Sequence, residues 1–512
     1  MGLAGHCSAA VSAEAETEES MKRRDFIKTV AAGVGGLSVW GAHGQDTAAV
    51  RKPLRVALIG CGGYGTYAHI PAILGQGTSV DTIEGMKTHV PVTGGERLVA
   101  VVDPDSRQIA NAMSRVKKAN PGADTASIRK FADYRKLFDE MGSDLDAVII
   151  ATPTHHHALP ALMAMRKGIH VYLEKPLAHT LAEVRLLTEE ARRCGVATQM
   201  GNWGQSTEGP RLLCEYLEAG AIGPVREVHC WSDRVDGLPP DTPRPPALPV
   251  PKELDWDLWL GPAPRRDFHS GLLNFYWNAW RDFGNATIGN MGCHIINHAY
   301  LALKLASPVS VELEEVYGGS KESWPIRNRI RWEFPARGDL PPLKLYWYDG
   351  IAPGAPYNEK TVGGGGHRRM SRETAYAPPI RTELEKKYDR EFSGEGSLFI
   401  GDKGVFTMGR HGDGFRIVPE SAHRAFPKPQ RVLPRVKGTH QEDFFRACRG
   451  GAPASSNFNH AGPLAELVLL GNLAVWAGVG KRIEWDAAGL RCTNMPELNR
   501  YVAKSYREGW TL

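Results

Sequence analysis

Leu54-Arg-Val-Ala-Leu-Ile-Gly-Cys-Gly-Gly-Tyr-Gly65 runs an apolar strand straight into a Gly-x-Gly-x-x-Gly turn, and a helix-like stretch from Tyr67 to Leu74 follows. Each glycine has a mechanical reason. Gly60 permits a tight turn, Gly62 lets a diphosphate approach the backbone, and Gly65 lets the helix pack on the strand. With Gly63 and Tyr64 between them, these residues form a cradle at a helix N-terminus, where free N–H groups and the helix dipole favour negative charge. Strand, glycine turn and helix in this order predict a dinucleotide-binding unit.

Working outward, Glu96–Asp105 reads Glu-Arg-Leu-Val-Ala-Val-Val-Asp-Pro-Asp, a buried-type strand ending at Asp103. A carboxylate there can accept both ribose hydroxyls of an adenosine and repels a 2′-phosphate, which favours NAD. Arg107 stands close enough to meet a phosphate and keeps NADP open. Asp103 also falls later than the usual spacing of ~20 residues. The excess is the polar segment Gln76–Gly95, read as a surface insertion. Pro71 should kink or shorten the helix before it.

Lys22-Arg-Arg-Asp-Phe-Ile-Lys28 is a twin-arginine pattern followed by a Gly/Ala-rich, mildly apolar run to Ala42. That run is shorter than the ~20 apolar residues of a membrane span. Residues 1–45 therefore read as a cleavable leader handled by the twin-arginine export machinery, with no stable membrane anchor and a periplasmic or otherwise exported destination. The acidic stretch Glu14–Glu19 is out of place before a basic leader, so Met21 is a candidate start. Twin-arginine export carries folded proteins. A dinucleotide loaded before export would have no free pool to exchange with, which implies a tightly held, internally recycled cofactor.

The 512 residues leave room for two domains after the leader. The net charge of +5 comes from dispersed basic residues, and the densest cluster, His367-Arg368-Arg369, follows the flexible run Gly363–Gly366. Nothing here points to nucleic acid. The eight cysteines (Cys7, Cys61, Cys194, Cys214, Cys230, Cys293, Cys448 and Cys492) show no Cys-x-x-Cys pairing, so buried free thiols are expected. Leu145–Thr154 is another buried-type strand, Ala158–Lys167 a helix, and Gly168–Pro176 the next strand. That alternation predicts an α/β protein with a doubly wound parallel sheet.

Thr152-Pro153-Thr154-His155-His156-His157 and Glu174-Lys175-Pro176, following the glycine turn in this order, resemble the glucose–fructose oxidoreductase/inositol dehydrogenase/MocA family, in its exported branch. The resemblance continues through Gly201-Asn202-Trp203, Met291-Gly-Cys-His294, Gly394–Gly404 and Ile483–Asp486. It implies a Rossmann domain (51–178) and an α/β domain with a large open antiparallel sheet (179–512), the latter packing in a homo-oligomer. It further implies that Thr152, Pro153, His157, Glu174 and Lys175 meet the cofactor. Lys175 would act at the reacting hydroxyl of a carbohydrate, and His294 would be the general base. A cis Lys175–Pro176 bond is expected.

The family's pattern has an aspartate four residues before the histidine, where this chain has Asn290, and a second acidic position is Asn297. An amide can orient an imidazole but cannot raise its basicity as a carboxylate does. His294 and His298 have helical metal-ligand spacing without an intervening Glu, and His155–His157 lack a second cluster, so no metal is expected. Trp256, Trp259, Phe268, Phe275, Tyr276, Trp277 and Trp280 are dense in one stretch; most should be packing, with one or two, or Trp203, against a sugar ring. Asn202, Arg281 and Asp282 are candidate hydroxyl ligands. The Pro-rich Leu238–Pro251 reads as a stiff arm towards a neighbouring subunit. Three functions fit: an NAD(P)-dependent oxidoreductase on a sugar, cyclitol or glycoside; a glycoside-cleaving enzyme that transiently oxidises the sugar with bound NAD; and a non-catalytic sugar-binding protein on this scaffold.

Overall fold

The run Arg55–Ile59 (β1) is buried at every position after Arg55, which is why it is continuously apolar and does not alternate. The computed structural model describes residues 52–76, 78–81, 87–90, 95–357 and 369–511. The twin-arginine pattern at 22–28, the leader 1–45 with Met21, and residues 363–368 lie outside the described residues. After β1 the chain enters a π-helical turn, Gly65–His69, and then a short α-helix, Ile70–Ile73. Pro71 sits in that short helix, and the wider π turn lies just ahead of it, where a proline cannot supply its N–H. The insertion contains an antiparallel pair, Thr78–Asp81 (β2) and Lys87–Val90 (β3).

Arg97–Val102 (β4), Arg129–Phe131 (β5), Ala147–Ile150 (β6), His170–Leu173 (β7) and Thr198–Met200 (β8) join β1 in a six-stranded parallel sheet, ordered β5-β4-β1-β6-β7-β8. β8 lies past residue 178, where the sequence reading ended this part. The order reverses direction between β1 and β6, the place where such sheets open a crevice beyond their carboxyl ends. Gly60, Asp103, Thr152 and Glu174 directly follow β1, β4, β6 and β7 (Thr152 and Asp103 within two residues of the strand end), so all four emerge at one edge.

The second sheet has nine strands: Val225–Ser232 (β9), Ser310–Tyr317 (β10), Arg327–Phe334 (β11), Leu343–Gly350 (β12), Gly396–Gly401 (β13), Gly404–Gly409 (β14), Arg416–Val418 (β15), Arg482–Asp486 (β16) and Arg491–Cys492 (β17). Their order is β15-β14-β13-β9-β12-β11-β10-β16-β17. All pairs are antiparallel except β9 with β12, so the large antiparallel sheet that was expected carries one parallel pair. Strand β11 shows the period of two. Asn328, Ile330, Trp332 and Phe334 are buried, while Arg329 and Arg331 on the other face pair with Glu314 and Glu312.

Two buried helices, Ala286–Ala302 and Phe458–Ala477, pack on each other and on the sheet's buried face. The first of them carries the candidate catalytic histidine, and its Asn290 meets Lys175 just past the end of β7. Among the described residues no helix is long and apolar enough to cross a membrane. The seven described cysteines are free thiols, five of them buried.

Candidate active site

At the carboxyl edge of the first sheet lies a cavity of about 930 Å³. Gly60, Gly62, Gly63, Tyr64, Asp103, Thr152, Pro153, His157, Glu174 and Lys175 line it, so the cofactor residues read from sequence converge, apart from Gly65. Gly65 has a packing role instead: a Cβ there would lie 2.1 Å from Gly60 O, so the helix could not close on the strand. Gly60 takes φ +94°, open only to glycine at low cost, and its Cβ would meet Ala151 C at 2.6 Å. Around Gly62 and Gly63 a Cβ would meet nothing within 4 Å, leaving the backbone accessible from the cleft. Thr152 Oγ1 is buried without a hydrogen-bond partner. Open backbone at a helix start, a buried orphan hydroxyl and an acidic strand end are the donor and acceptor set that a dinucleotide fits.

The Asp103 carboxylate accepts from Cys61 N at 2.8 Å and Asp105 N at 2.9 Å. Burial pushes its pKa up to about 7, against the lowering effect of those two donors. Arg107 is engaged away from it. Its Nη2 bonds Asp105 Oδ2 at 2.7 Å and its Nε bonds Asp105 Oδ1 at 2.9 Å, while Asp105 caps the helix Ser106–Ala119. The guanidinium that could meet a 2′-phosphate thus pairs with the helix cap while still lining the cavity. His157 joins two strand ends, with Nε2 3.0 Å from Thr152 O and Nδ1 2.8 Å from Pro176 O. Glu174 pairs with His69 at 3.0 Å, and the Lys175–Pro176 bond is cis, as expected.

Lys175 links this cleft to the second half of the chain. Its Nζ donates to Asn290 Oδ1 at 2.5 Å, and Asn290 Nδ2 donates to Asp236 Oδ2 at 2.8 Å. Burial lowers the Lys175 pKa, and Arg234 adds to that, against Glu174, Cys293 and Asp236. One helical turn beyond Asn290, His294 is 6% exposed and its Nδ1 has no partner. Burial holds its pKa well below the usual histidine value, reinforced by His411, Lys175, Arg234 and Arg410. The imidazole is therefore uncharged, and the same burial weakens it as a base.

The expectation that Asn290 and Asn297 orient this imidazole is corrected. Asn290 is taken by Lys175 and Asp236. Asn297 donates to Gln205 Oε1 at 2.8 Å and accepts from His460 at 2.8 Å. The neighbour of His294 is His411, edge-on at 4.8 Å between ring centres, and Trp203 lies over His411 at 4.0 Å. Close by, Glu395 is gripped by Arg234 at 2.9 Å, Arg410 at 2.5 Å and Arg369.

Three candidate hydroxyl ligands are placed differently from expectation. Asn202 spends its amide on Cys293 O at 3.2 Å and Ser456 Oγ at 2.5 Å. Arg281 is packed on Trp476 and Trp324, 3.8 and 4.5 Å from the ring centres, where burial lowers its pKa to about 10. Asp282 is half-buried near Arg266 and Arg244 and makes no described contact with Lys175 or His294. His155 and His156 both face Trp259 O, at 3.1 and 2.9 Å. Of the aromatic stretch, Trp259, Phe275 and Trp277 line the cofactor cleft with Trp510 from the chain's other end. Asp236, His411 and Trp510 carry no local motif; only the tertiary fold brings them here.

Comparison with known proteins places these features in context. Residues 54–202 match the family model described as an oxidoreductase family with an NAD-binding Rossmann fold, and residues 243–333 match the model of that family's C-terminal alpha/beta domain. Inositol 2-dehydrogenase 1 of Saccharopolyspora erythraea is 30% identical over 186 residues, 36% of this chain and 52% of that protein. A protein named glycosyl hydrolase family 109 protein 1, from Bacteroides fragilis, is 37% identical over 107 residues, 21% of this chain and 22% of that one. The chain thus spans about half or less of these relatives' length. The crystal structure of aldose-aldose oxidoreductase from Caulobacter crescentus, complexed with glycerol, shares the fold with a TM-score of 0.51 at 16% identity, covering 85% of this chain and 100% of that one.

Proposed function

The chain belongs to the glucose–fructose oxidoreductase/inositol dehydrogenase/MocA family of oxidoreductases, and from that premise we propose that it is an exported NAD-dependent oxidoreductase acting on a secondary hydroxyl of a sugar, cyclitol or glycoside. The observation that carries this reading is the position of Lys175, which lines the dinucleotide cleft while its ammonium bonds the helix bearing His294.

Bound NAD would supply a hydride acceptor. Lys175 donates a hydrogen bond to the substrate oxygen and stabilises its developing alkoxide character. His294, held neutral, takes the hydroxyl proton. The aromatic side chains of Trp259, Phe275, Trp277 and Trp510 line the cleft, and contact with them supports a tightly held cofactor. The Asp103 carboxylate on the cavity wall favours NAD over NADP. Export by the twin-arginine route rests on residues 22–28, and homo-oligomerisation on the half-exposed face of the second sheet that carries Arg329 and Arg331.

A second reading is favoured by the similarity to glycosyl hydrolase family 109 protein 1. Transient oxidation of a glycoside by bound NAD would acidify a neighbouring C–H and allow elimination of the glycosidic oxygen, with no net cofactor turnover. The test is to incubate the purified protein with myo-inositol, free aldoses and nitrophenyl glycosides, with and without added NAD. NADH formation from a polyol or aldose supports the first reading. Release of nitrophenol without added cofactor supports the second. Neither product from any of them, with dinucleotide bound, would contradict both.

A further inference from the structure

Asn290 stands between two groups of opposite chemistry. A lysine ammonium only donates hydrogen bonds and a carboxylate only accepts them, whereas an amide has one side of each kind. With Nζ of Lys175 on one side at 2.5 Å and Oδ2 of Asp236 on the other at 2.8 Å, a single amide orientation satisfies both. Asn290 and Asp236 are 3% and 5% exposed, so water does not compete for the bond between them. Asp236 is itself anchored, its N–H donating to Thr287 Oγ1 at 2.9 Å at the start of the same helix. Asp236 follows β9, far along the chain from β7.

We propose that Asp236 is a positioning residue for Lys175 that acts through the Asn290 amide, fixing the orientation in which a carbonyl oxygen holds the lysine ammonium at the substrate position. The inference rests on the reading of Lys175 given above. The arrangement differs from a direct lysine–carboxylate pair in one physical respect. The negative charge stands one side chain further from Nζ, so it orients the ammonium while attracting its proton more weakly. The groups facing Lys175 are Glu174 beside it, Arg234 and Asp236 after β9, and Cys293 and His294 on the helix; Asp349 lies behind Asp236.

The test titrates Lys175 by competitive acetic anhydride labelling across pH, read by peptide mass spectrometry on the full-length protein. It compares wild type, Asp236→Asn, and the exchange Asp236→Asn/Asn290→Asp, which keeps one carboxylate and one amide in the chain of contacts. Turnover of whichever substrate the wild type accepts, with myo-inositol as the first probe, is measured alongside. Asp236→Asn should lower the Lys175 midpoint by about one pH unit and kcat by about tenfold or more, with KM changed by less than about threefold. The exchange should return the midpoint to the wild-type value or above and regain most of kcat. An Asp236→Asn protein that titrates like wild type overturns the proposal, as does an exchange that rescues neither property. Should Asp236→Asn fail to fold, the exchange variant decides alone, by the same midpoint. If Lys175→Ala leaves turnover intact, the reading of Lys175 fails, while the labelling still decides whether Asp236 positions it.

Discussion

The two sides of the site differ in how they are encoded. The cofactor side is written in short contiguous words, each fixed by a strand end: Gly60–Gly65, Asp103, Thr152-Pro153 and Glu174-Lys175. A parallel sheet delivers all its carboxyl ends to one edge, so local motifs suffice to place them together. The substrate side is assembled from segments remote in sequence: Asp236 after β9, Asn290 and His294 on one helix, and Arg410 and His411 after β14. Its geometry depends on the register of a nine-stranded sheet, which no short motif carries. The lesson is that the cleft is robust to what surrounds it, while the substrate pocket is set by long-range packing.

That contrast can be broken most directly at the junction. Lys175→Ala should reduce kcat by about a thousandfold or more while dinucleotide binding survives, measured by steady-state kinetics and by cofactor titration. Equal loss of both would mean that Lys175 belongs only to the cofactor side. Gly65→Ala places a methyl 2.1 Å from Gly60 O, against backbone that cannot move freely. It should cost about 3 kcal/mol or more and lower the melting temperature, with dinucleotide binding falling in step. His294→Asn should lower kcat by about a hundredfold. Because burial holds the His294 pKa well below the usual value, the acid limb of the wild-type kcat/KM profile should lie well below the ordinary histidine range, and an acid limb within that range would contradict a buried neutral base.

The smallest effects sharpen the cofactor side. Asp103, pushed up to about 7 by burial, is protonated below that pH and ionised above it. Only the carboxylate accepts from both ribose hydroxyls. NAD affinity should therefore tighten as pH rises through about 7, by about tenfold or less, and Asp103→Asn should flatten that dependence in calorimetric titrations. The same raised pKa means ionisation of Asp103 works against folding. Its stabilising contribution is full below the unfolded-state carboxyl pKa and is lost as pH rises through about 7. Arg107→Ala should change the preference between NAD and NADP by less than about threefold if the pairing of its guanidinium with Asp105 persists when the dinucleotide binds, and a larger loss of NADP binding would show that it turns to the phosphate.

Much of the fold was legible because buried parallel strands announce themselves as uninterrupted apolar runs, as at Val56–Ile59 and Ala147–Ile150. The helix after the glycine turn was legible in place but not in form, since the π turn before Pro71 has no separate signature. The roles expected for Asn202, Arg281 and Asp282 came from polar residues beside turns and aromatics. Burial and local carbonyls claim Asn202 and Arg281 instead. For Asn290 the sequence marked the right residue and the wrong partner, because Lys175 and Asp236 arrive at the helix face from two other elements.

The most direct test of the account is to denature the purified protein and identify the dinucleotide it releases by mass spectrometry. Near-stoichiometric NAD is the expected result, with the aromatic wall retaining it and Asp103 selecting it. A protein that releases NADP instead, or that neither carries nor binds either dinucleotide, would contradict the assignment of the cleft on which the whole reading stands.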